Sequence, residues 1–126
     1  MKRTMNDVHD SHCAVAATAD VIATKWTPLI VHDLSEGPRR FMHLEHACPG
    51  ISPRTLSERL DMLERQGVVI RRSYPESPPR VEYELTDKGR ALLPIVRAMR
   101  KFGREWIIPE PARDAKTVHR QRTAHR

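Results

Sequence analysis

The sequence predicts a mainly α-helical fold that carries one small β-hairpin. Apolar residues recur at helical spacing through most of the first half of the chain and again near its end. Between these stretches, residues 68–74 and 80–85 carry β-branched and aromatic residues and flank the proline-rich loop 75–79. We therefore expect five helices around one modest core, with a pair of antiparallel strands before the last helix.

Two helices are predicted before residue 37. The first covers residues 13–23 and presents a short, alanine-rich apolar stripe. Thr27 can cap the second helix with its hydroxyl. Pro28 then takes the first helical position, where its missing N–H costs nothing. Gly37 and Pro38 then end this helix. The predicted buried face of the second helix comprises Leu29, Ile30, Val31 and Leu34.

A tight turn joins the next two helices. After a short extended piece at residues 39–41, a brief helix runs to about residue 47, and Pro49-Gly50 forms the turn. Ser52 is the expected N-cap of the longer helix, with Pro53 at its first position. The buried stripe of the longer helix has the i, i+4 and i+7 spacing of Leu56, Leu60 and Leu63.

The residues after this pair predict a β-hairpin and a last helix. Val81, Tyr83 and Leu85 alternate with charged side chains, as in a half-buried strand. Thr86 can cap a final helix that reaches residue 106, with a kink at Pro94. Two helices joined by a tight turn and followed by a hairpin form a winged helix-turn-helix.

The net charge of the 126-residue chain is +6, which favours a polyanionic partner. This excess is uneven, since residues 111–126 hold five basic residues against Asp114 and leave only +2 for residues 1–110. We expect one domain over residues 13–108, a flexible segment at 1–12 and a basic, disordered tail at 109–126. A nucleic-acid-binding hypothesis therefore depends on where individual charges lie.

The helix that begins at Pro53 combines hydroxyls and arginines on the surface that its leucines leave free. Arginine can bind guanine through two hydrogen bonds, whereas serine, threonine and a helix N-terminus can bind phosphate. A recognition helix places such N-terminal residues in the major groove. The alternative is a solvated amphipathic helix with ordinary caps. In either case we expect Glu58 and Asp61 to pair with neighbouring arginines. The candidate DNA contacts of this helix are Ser52, Arg54, Thr55, Ser57 and Arg59.

Further arginines are candidate DNA contacts outside this helix. Arg80 follows the rigid proline loop and can enter a narrow minor groove, the alternative being a solvated residue at the start of a strand. Arg39 and Arg40 precede the helix pair and are candidate phosphate clamps. Arg71 and Arg72 alternate across a strand, so at most one of them faces DNA, and we assign this role to Arg72.

Together these motifs resemble the HxlR-type winged helix-turn-helix transcriptional regulators, which are related to the MarR group. The resemblance covers residues 13–106. It implies a cytoplasmic homodimer that dimerises through its N- and C-terminal helices and binds a near-palindromic double-stranded DNA operator; we expect a repressor. The matching stretches are Lys25-Trp26-Thr27, Gly37-Pro38-Arg39-Arg40-Phe41, Pro49-Gly50-Ile51-Ser52, Leu56-Ser57-Glu58-Arg59-Leu60 with Leu63-Glu64, Pro78-Pro79-Arg80-Val81-Glu82-Tyr83 and Leu85-Thr86-Asp87-Lys88-Gly89.

Of the two cysteines, Cys13 is a candidate for sensing a thiol-reactive signal. Cys13 lies at the start of the first predicted helix, and several regulators of the family it resembles use an N-terminal cysteine at about this place to sense oxidants or electrophiles. A small buried residue in a dimer interface is the alternative for Cys13, and both interpretations stay open. Cys48 is expected to be packed. Trp26 is most simply a core residue, and the alternative is that it lines a pocket for a small-molecule effector.

Enzyme motifs are missing from the sequence, which has no CxxC, no GxSxG and no phosphate-binding glycine loop. The histidines and cysteines do not have metal-ligand spacing, so we expect neither a metal nor another cofactor. No apolar run approaches a membrane span and no signal peptide is recognisable, which favours the cytoplasm and no membrane partner. The alternative to a DNA-binding regulator is a winged-helix protein-interaction module, or a ligand sensor without direct DNA readout.

Overall fold

A computed structural model of the protein describes residues 13–108. The predicted flexible segment 1–12 and basic tail 109–126 lie outside the described residues. The chain divides into one unit that ends at Leu93 and a second that begins at Pro94. The prediction of a mainly helical fold with one β-hairpin is confirmed. In chain order the elements are α1 (Cys13–Ile22), α2 (Trp26–Leu34), α3 (Phe41–Ala47), α4 (Pro53–Arg65), β1 (Val69–Tyr74), β2 (Arg80–Leu85), α5 (Asp87–Arg90) and α6 (Leu93–Trp106).

The start of α2 differs from its prediction. The helix begins at Trp26, and the Thr24 Oγ1 accepts a hydrogen bond from the Thr27 N–H at 3.0 Å. Thr27 is buried and accepts a hydrogen bond from the Thr24 hydroxyl at 3.1 Å, so the prediction of Thr27 as the cap is wrong. The capping hydroxyl belongs to Thr24, three residues before the predicted one. Leu29 is 37% exposed and does not belong to the buried face. The buried apolar residues of α2 are Ile30, Val31 and Leu34.

The helix pair α3–α4 has the predicted form. Ser52 caps α4, since its Oγ accepts a hydrogen bond from the Thr55 N–H at 3.0 Å, and Pro53 occupies the first helical position. The three leucines of the predicted stripe are at most 1% exposed and join the core of the first unit. Burying a leucine side chain contributes about 1.5–3 kcal/mol relative to leaving it exposed. The inner side of α4 is therefore firmly anchored, which leaves its outer side free for another role.

The hairpin is tied to the start of α3. β1 and β2 pair antiparallel, with Val69 opposite Leu85 and Arg71 opposite Tyr83. Val69, Tyr83 and Leu85 lie on one face of the hairpin, which we call the inner face. They are buried there, because β1 lies beside α4 and β2 lies beside α2 and α3. The backbone of Arg39 donates to the Tyr83 carbonyl at 2.9 Å and accepts from the Tyr83 N–H at 2.8 Å. The extended piece predicted at residues 39–41 thus adds a bridge to the free edge of β2.

A short motif after β2 closes the C-terminal end of α4. Thr86 caps α5, because its Oγ1 accepts a hydrogen bond from the Gly89 N–H at 3.0 Å. The same hydroxyl donates to the carbonyl of Gly67 at 2.6 Å, and the Nζ of Lys88 donates to the carbonyl of Gln66 at 2.7 Å. A helix end leaves its last carbonyls without intrahelical partners. In α4 the carbonyls of Met62, Leu63 and Glu64 accept from the N–H groups of residues 66–68, and the motif pairs the two carbonyls that follow the helix, those of Gln66 and Gly67. These two hydrogen bonds tie the motif to the C-terminal end of α4.

The prediction of one continuous last helix is wrong. α5 ends at Arg90, and α6 begins at Leu93 after a turn, with Pro94 as its second residue. Pro94 has no N–H to bond the carbonyl of Arg90, and its ring clashes with that carbonyl in a continuous helix. The chain therefore breaks before Pro94 instead of kinking at it. One side of α6 carries an exposed apolar stripe, defined by Ile95, Met99, Phe102 and Trp106.

In residues 13–108, no single helix is long and apolar enough to cross a membrane. α1 and α2 pass such a test of length and composition only together, as a pair bent by 77°. Because α2 supplies buried residues to the core of the first unit, its apolar character is accounted for by packing.

Candidate nucleic-acid interface

The DNA contacts predicted in α4 lie at its N-terminal end, outside the buried leucine stripe. Ser52, Arg54 and Ser57 are exposed, whereas Thr55 and Arg59 are half-buried at the flanks of the leucine stripe. The hydroxyl of Ser52 donates to the Oγ1 of Thr55 at 2.9 Å while it caps the helix. The structure therefore brings the five residues together within the first two turns of one anchored helix.

The two arginines of this surface differ in their partners. The side chain of Arg54 is 88% exposed, and its Nε lies 3.3 Å from the Oε2 of Glu58. An exposed i, i+4 ion pair is worth only about 0.3–0.5 kcal/mol, so phosphate or a base can replace it at little cost. Arg59 has no ion pair with any part of the chain that the structure describes. The prediction that Glu58 pairs with a neighbouring arginine is confirmed, whereas Asp61 forms no ion pair among residues 13–108.

Arg39 and Arg40 are adjacent but differently placed. The Nε of Arg39 lies 3.4 Å from the Oδ2 of Asp33, an ion-pair contact without hydrogen-bond geometry. Its Nη2 donates to Glu36 at 3.2 Å, and its Nη1 donates to the carbonyl of Pro38 at 3.5 Å. Arg40 is exposed at the N-cap position of α3 and has no ion pair among the described residues. Arg40 is thus available to an anion, whereas Arg39 already holds the loop before α3.

Arg80 is held by its own hairpin. Its Nε and Nη2 bind the Oε2 of Glu76 at 3.1 and 2.9 Å, and its Nη1 binds the Oε2 of Glu82 at 2.9 Å. Its guanidinium carbon also lies 3.9 Å from the centre of the Tyr74 ring, a cation–π distance. The hydrogen bond to Glu76 is the largest influence that raises the pKa of Arg80. All three nitrogens of the side chain are therefore engaged within the chain.

Arg72 lies on the same side of the hairpin as Arg80. Its Nε donates to the Oε1 of Glu84 at 2.9 Å, a hydrogen bond that raises the pKa of Arg72. Side chains alternate across a strand, so Arg72 and Arg80 share a face with Glu82 and Glu84, which we call the outer face. With Glu76 in the adjoining loop, three carboxylates meet two arginines there. The outer face is consequently not a positive surface.

The cysteines have opposite environments. Cys13 is exposed at the first residue of α1, whereas Cys48 is buried. Burial, with a smaller influence from the Asp33 carboxylate, raises the pKa of the Cys48 thiol. The prediction that Cys48 is packed is confirmed. No group of three or more potential metal ligands occurs within residues 13–108.

A cavity of about 270 Å³ opens between α1 and the motif after β2 in the first unit. Its walls are mainly apolar, and the Lys88 side chain brings a positive charge to it. Trp26, for which a core position and a place beside an effector pocket were the two interpretations, is half-buried and does not line this cavity. Lys25 stacks on its ring, with 4.8 Å between the Nζ and the ring centre. The residues that line it are Ala17, Thr18, Val21, Val68, Lys88 and Leu92.

Sequence reasoning overlooked the pairing on the outer face. The signal is present, because residues 80, 82 and 84 alternate with the apolar residues of β2 and must share one face. The glutamates of this face, and not only its arginines, therefore determine its charge. The same alternation puts Arg71 on the inner face, opposite Tyr83.

Comparison with protein families places the chain among known sequences. A family model of HxlR-like helix-turn-helix proteins matches residues 21–111. The chain is 50% identical over 90 residues to YvaP of Bacillus subtilis, an uncharacterised HTH-type transcriptional regulator, across 71% of this chain and 83% of that protein. It is 37% identical over 89 residues to the HTH-type transcriptional regulator YodB of the same organism, across 71% and 80% of the two chains.

The chain is also similar to solved structures of regulatory proteins. The redox regulator HypR in its reduced form has a TM-score of 0.70 and 40% identity, covering 73% of this chain and 91% of that one. Diamide-treated YodB from B. subtilis has a TM-score of 0.62 and 35% identity, covering 75% and 93%. The family model includes the helix pair and the hairpin, since α3, α4, β1 and β2 all lie within residues 21–111.

Proposed function

Because the chain belongs to the HxlR-like helix-turn-helix family of DNA-binding transcriptional regulators, we propose that it is a homodimeric repressor of a near-palindromic operator. The observation that carries the proposal is the division of α4 into two sides. Its leucines are buried to at most 1% exposure, and its N-terminal hydroxyls and arginines face outward. A helix so anchored can insert its first turns into a major groove without losing its packing.

Within this proposal, the five polar residues of α4 contact the DNA directly. Arg54 and Arg59 are the base-reading candidates, because a guanidinium can bind the O6 and N7 of guanine together. Arg59 has no ion pair to any residue within 13–108, and Arg54 has one exposed pair there to give up. Ser52, Thr55 and Ser57 are suited to phosphate, which fixes the position of the helix without reading sequence.

Phosphate contacts by the surrounding arginines supply affinity. Arg40 is exposed and unpaired within the described residues, so it can bind phosphate as it stands. Arg72 uses its Nε for Glu84 and lies among the carboxylates of the outer face, so it is a weaker phosphate candidate than Arg40. Arg39 and Arg80 have all three nitrogens engaged, so each must exchange a carboxylate for phosphate if it is to act as a clamp or a minor-groove residue.

A dimer accounts for the apolar stripe of α6. Its members Met99, Phe102 and Trp106 are 46%, 58% and 75% exposed. Three large apolar side chains in a row on one helix are typical of a surface that another copy or another protein covers. Two protomers related by a two-fold axis would present two copies of α4 to half-sites about 34–36 Å apart, one turn of DNA.

Selection of bound duplexes from a pool of random DNA by the purified full-length protein tests the proposal. The expected result is a near-palindromic consensus whose half-sites lie one helical turn apart. Binding of the pool without any enriched sequence would contradict sequence-specific readout. No binding at low salt would instead favour the protein-interaction module, and a stable monomer in solution would contradict the homodimer.

Control by a thiol-reactive signal is a second part of the proposal. It is favoured by the exposure of Cys13 on α1 and by the similarity to HypR and to diamide-treated YodB. The test compares affinity for the selected duplex before and after treatment with diamide or an electrophile, in the wild type and in Cys13→Ser. A response of the wild type that Cys13→Ser abolishes is expected. An unresponsive wild type would remove this part and leave a small-molecule effector, for which the cavity beside α1 offers a place.

A further inference from the structure

Arg71 stands apart from the other two hairpin arginines. Arg72 and Arg80 hold carboxylates, at 2.9 Å in each of their shortest contacts. Arg71 is exposed and has neither an ion pair nor a side-chain hydrogen bond to any described residue. A free guanidinium carries a full charge that no neighbouring carboxylate offsets, so it is the best electrostatic partner that this hairpin offers to an anion.

The backbone register places Arg71 on the inner face. It pairs directly with Tyr83, and directly paired residues point to the same side of a two-stranded sheet. Tyr83 is 9% exposed, and the next pair on this face, Val69 with Leu85, is buried as well. Arg71 therefore extends from the rim of the packed face, on the side of the hairpin where β1 lies beside α4.

We infer that Arg71 binds the DNA phosphate backbone at the side of α4, and that this contact, not one by Arg72, is the principal contact of β1. The inference rests on the proposed function, since it requires α4 to occupy a groove. A strand of phosphates that flanks α4 passes the inner side of the hairpin and meets an uncompensated positive charge. On the outer face the same backbone would meet three carboxylates against two arginines.

The test measures affinity against salt concentration for wild type, Arg71→Gln and Arg72→Gln on the selected duplex and on a random duplex. Each phosphate contact contributes about 0.9 to the slope of log K against log salt. A dimer that lacks Arg71 should therefore show a slope about 1.8 smaller than that of wild type. The loss should be the same on both duplexes, because phosphate carries no sequence information. Arg90→Gln, at the exposed end of α5, removes the same charge elsewhere and controls for the net charge.

The outcomes separate this inference from the proposed function. If Arg71→Gln keeps the wild-type slope, or if Arg72→Gln lowers the slope more than Arg71→Gln does, the inference is overturned while DNA binding stands. A slope change by Arg90→Gln equal to that by Arg71→Gln would also overturn it, since the effect would then be one of net charge. If wild type fails to discriminate the selected from the random duplex, the proposed function itself fails. Thermal unfolding of each variant shows whether the fold is intact.

Discussion

Ser52 connects the stability of α4 to its proposed contact with DNA. Ser52→Ala removes the oxygen that accepts from the Thr55 N–H at 3.0 Å and donates to the Thr55 Oγ1 at 2.9 Å. Loss of such a cap costs about 0.5–2 kcal/mol. The buried leucines still anchor the helix, so the protein should fold. A loss near 1 kcal/mol lowers the Tm of a domain of 60–100 residues by about 4–8 °C.

Ser52→Asp separates the cap from the DNA contact. A carboxylate accepts the same hydrogen bond and interacts favourably with the helix N-terminus, so the Tm should stay at or above that of wild type. The same charge would lie close to phosphate, and two like charges 4 Å apart repel by about 1 kcal/mol even in water. Affinity should therefore fall about fivefold or more for each half-site. Ser52→Asn is the matched neutral control, since it caps without adding charge.

Circular dichroism melting and fluorescence anisotropy on the selected duplex measure the two effects. If Ser52→Asp binds DNA as tightly as Ser52→Asn, the N-terminus of α4 does not approach phosphate. If Ser52→Ala melts at the wild-type temperature, the cap does not stabilise the helix as the geometry implies.

Three other perturbations test separate features. Gly89→Ala should lower the Tm, because a Cβ there collides with the Val68 carbonyl, whereas Gly103→Ala in open space within α6 should raise it; equal shifts would contradict the packing. Arg54→Ala should weaken operator binding by about 1–3 kcal/mol and relax the preference at one base pair, and unchanged specificity would remove it from the base readers. Burial raises the pKa of the Cys48 thiol above its ordinary value of 9.0, so the protonated thiol stabilises the folded state below pH 9.0, and this stabilisation is lost as the pH rises through the folded pKa. Urea titrations at increasing pH should therefore show a smaller alkaline loss of unfolding free energy for Cys48→Ala than for wild type. An equal loss in the two proteins would refute this.

Local patterns predicted the helix pair well. The cap at Ser52 and the spacing of the α4 leucines lie within a few residues of one another, and the structure reproduces both. The start of α2 was less predictable, because Thr24 and Thr27 both have a hydroxyl suited to capping. The break before Pro94 depends on how far a helix can tolerate a missing hydrogen bond, which sequence alone does not decide.

The sequence pattern predicts on which face of the hairpin each arginine lies, but not which carboxylate it binds. Alternation within β2 was enough to put Arg80 on a face with Glu82, yet the contact with Glu76 depends on the path of the proline loop. Arg72 lies opposite Glu82 in the register but binds Glu84, the diagonal neighbour. Such choices are made among side chains that meet only after the hairpin forms. They leave Arg71, and not Arg72, as the hairpin arginine without a partner among residues 13–108.

Groove-resolved chemical probing of the wild-type complex tests the central claim most directly. Dimethyl sulfate methylates the N7 of guanine, which lies in the major groove where α4 is proposed to insert. We expect protection of guanines in two half-sites one turn apart, with hydroxyl-radical protection of the backbone on either side of each. Backbone protection on a bound duplex with every guanine N7 left reactive would contradict the assignment of α4 as the reading element.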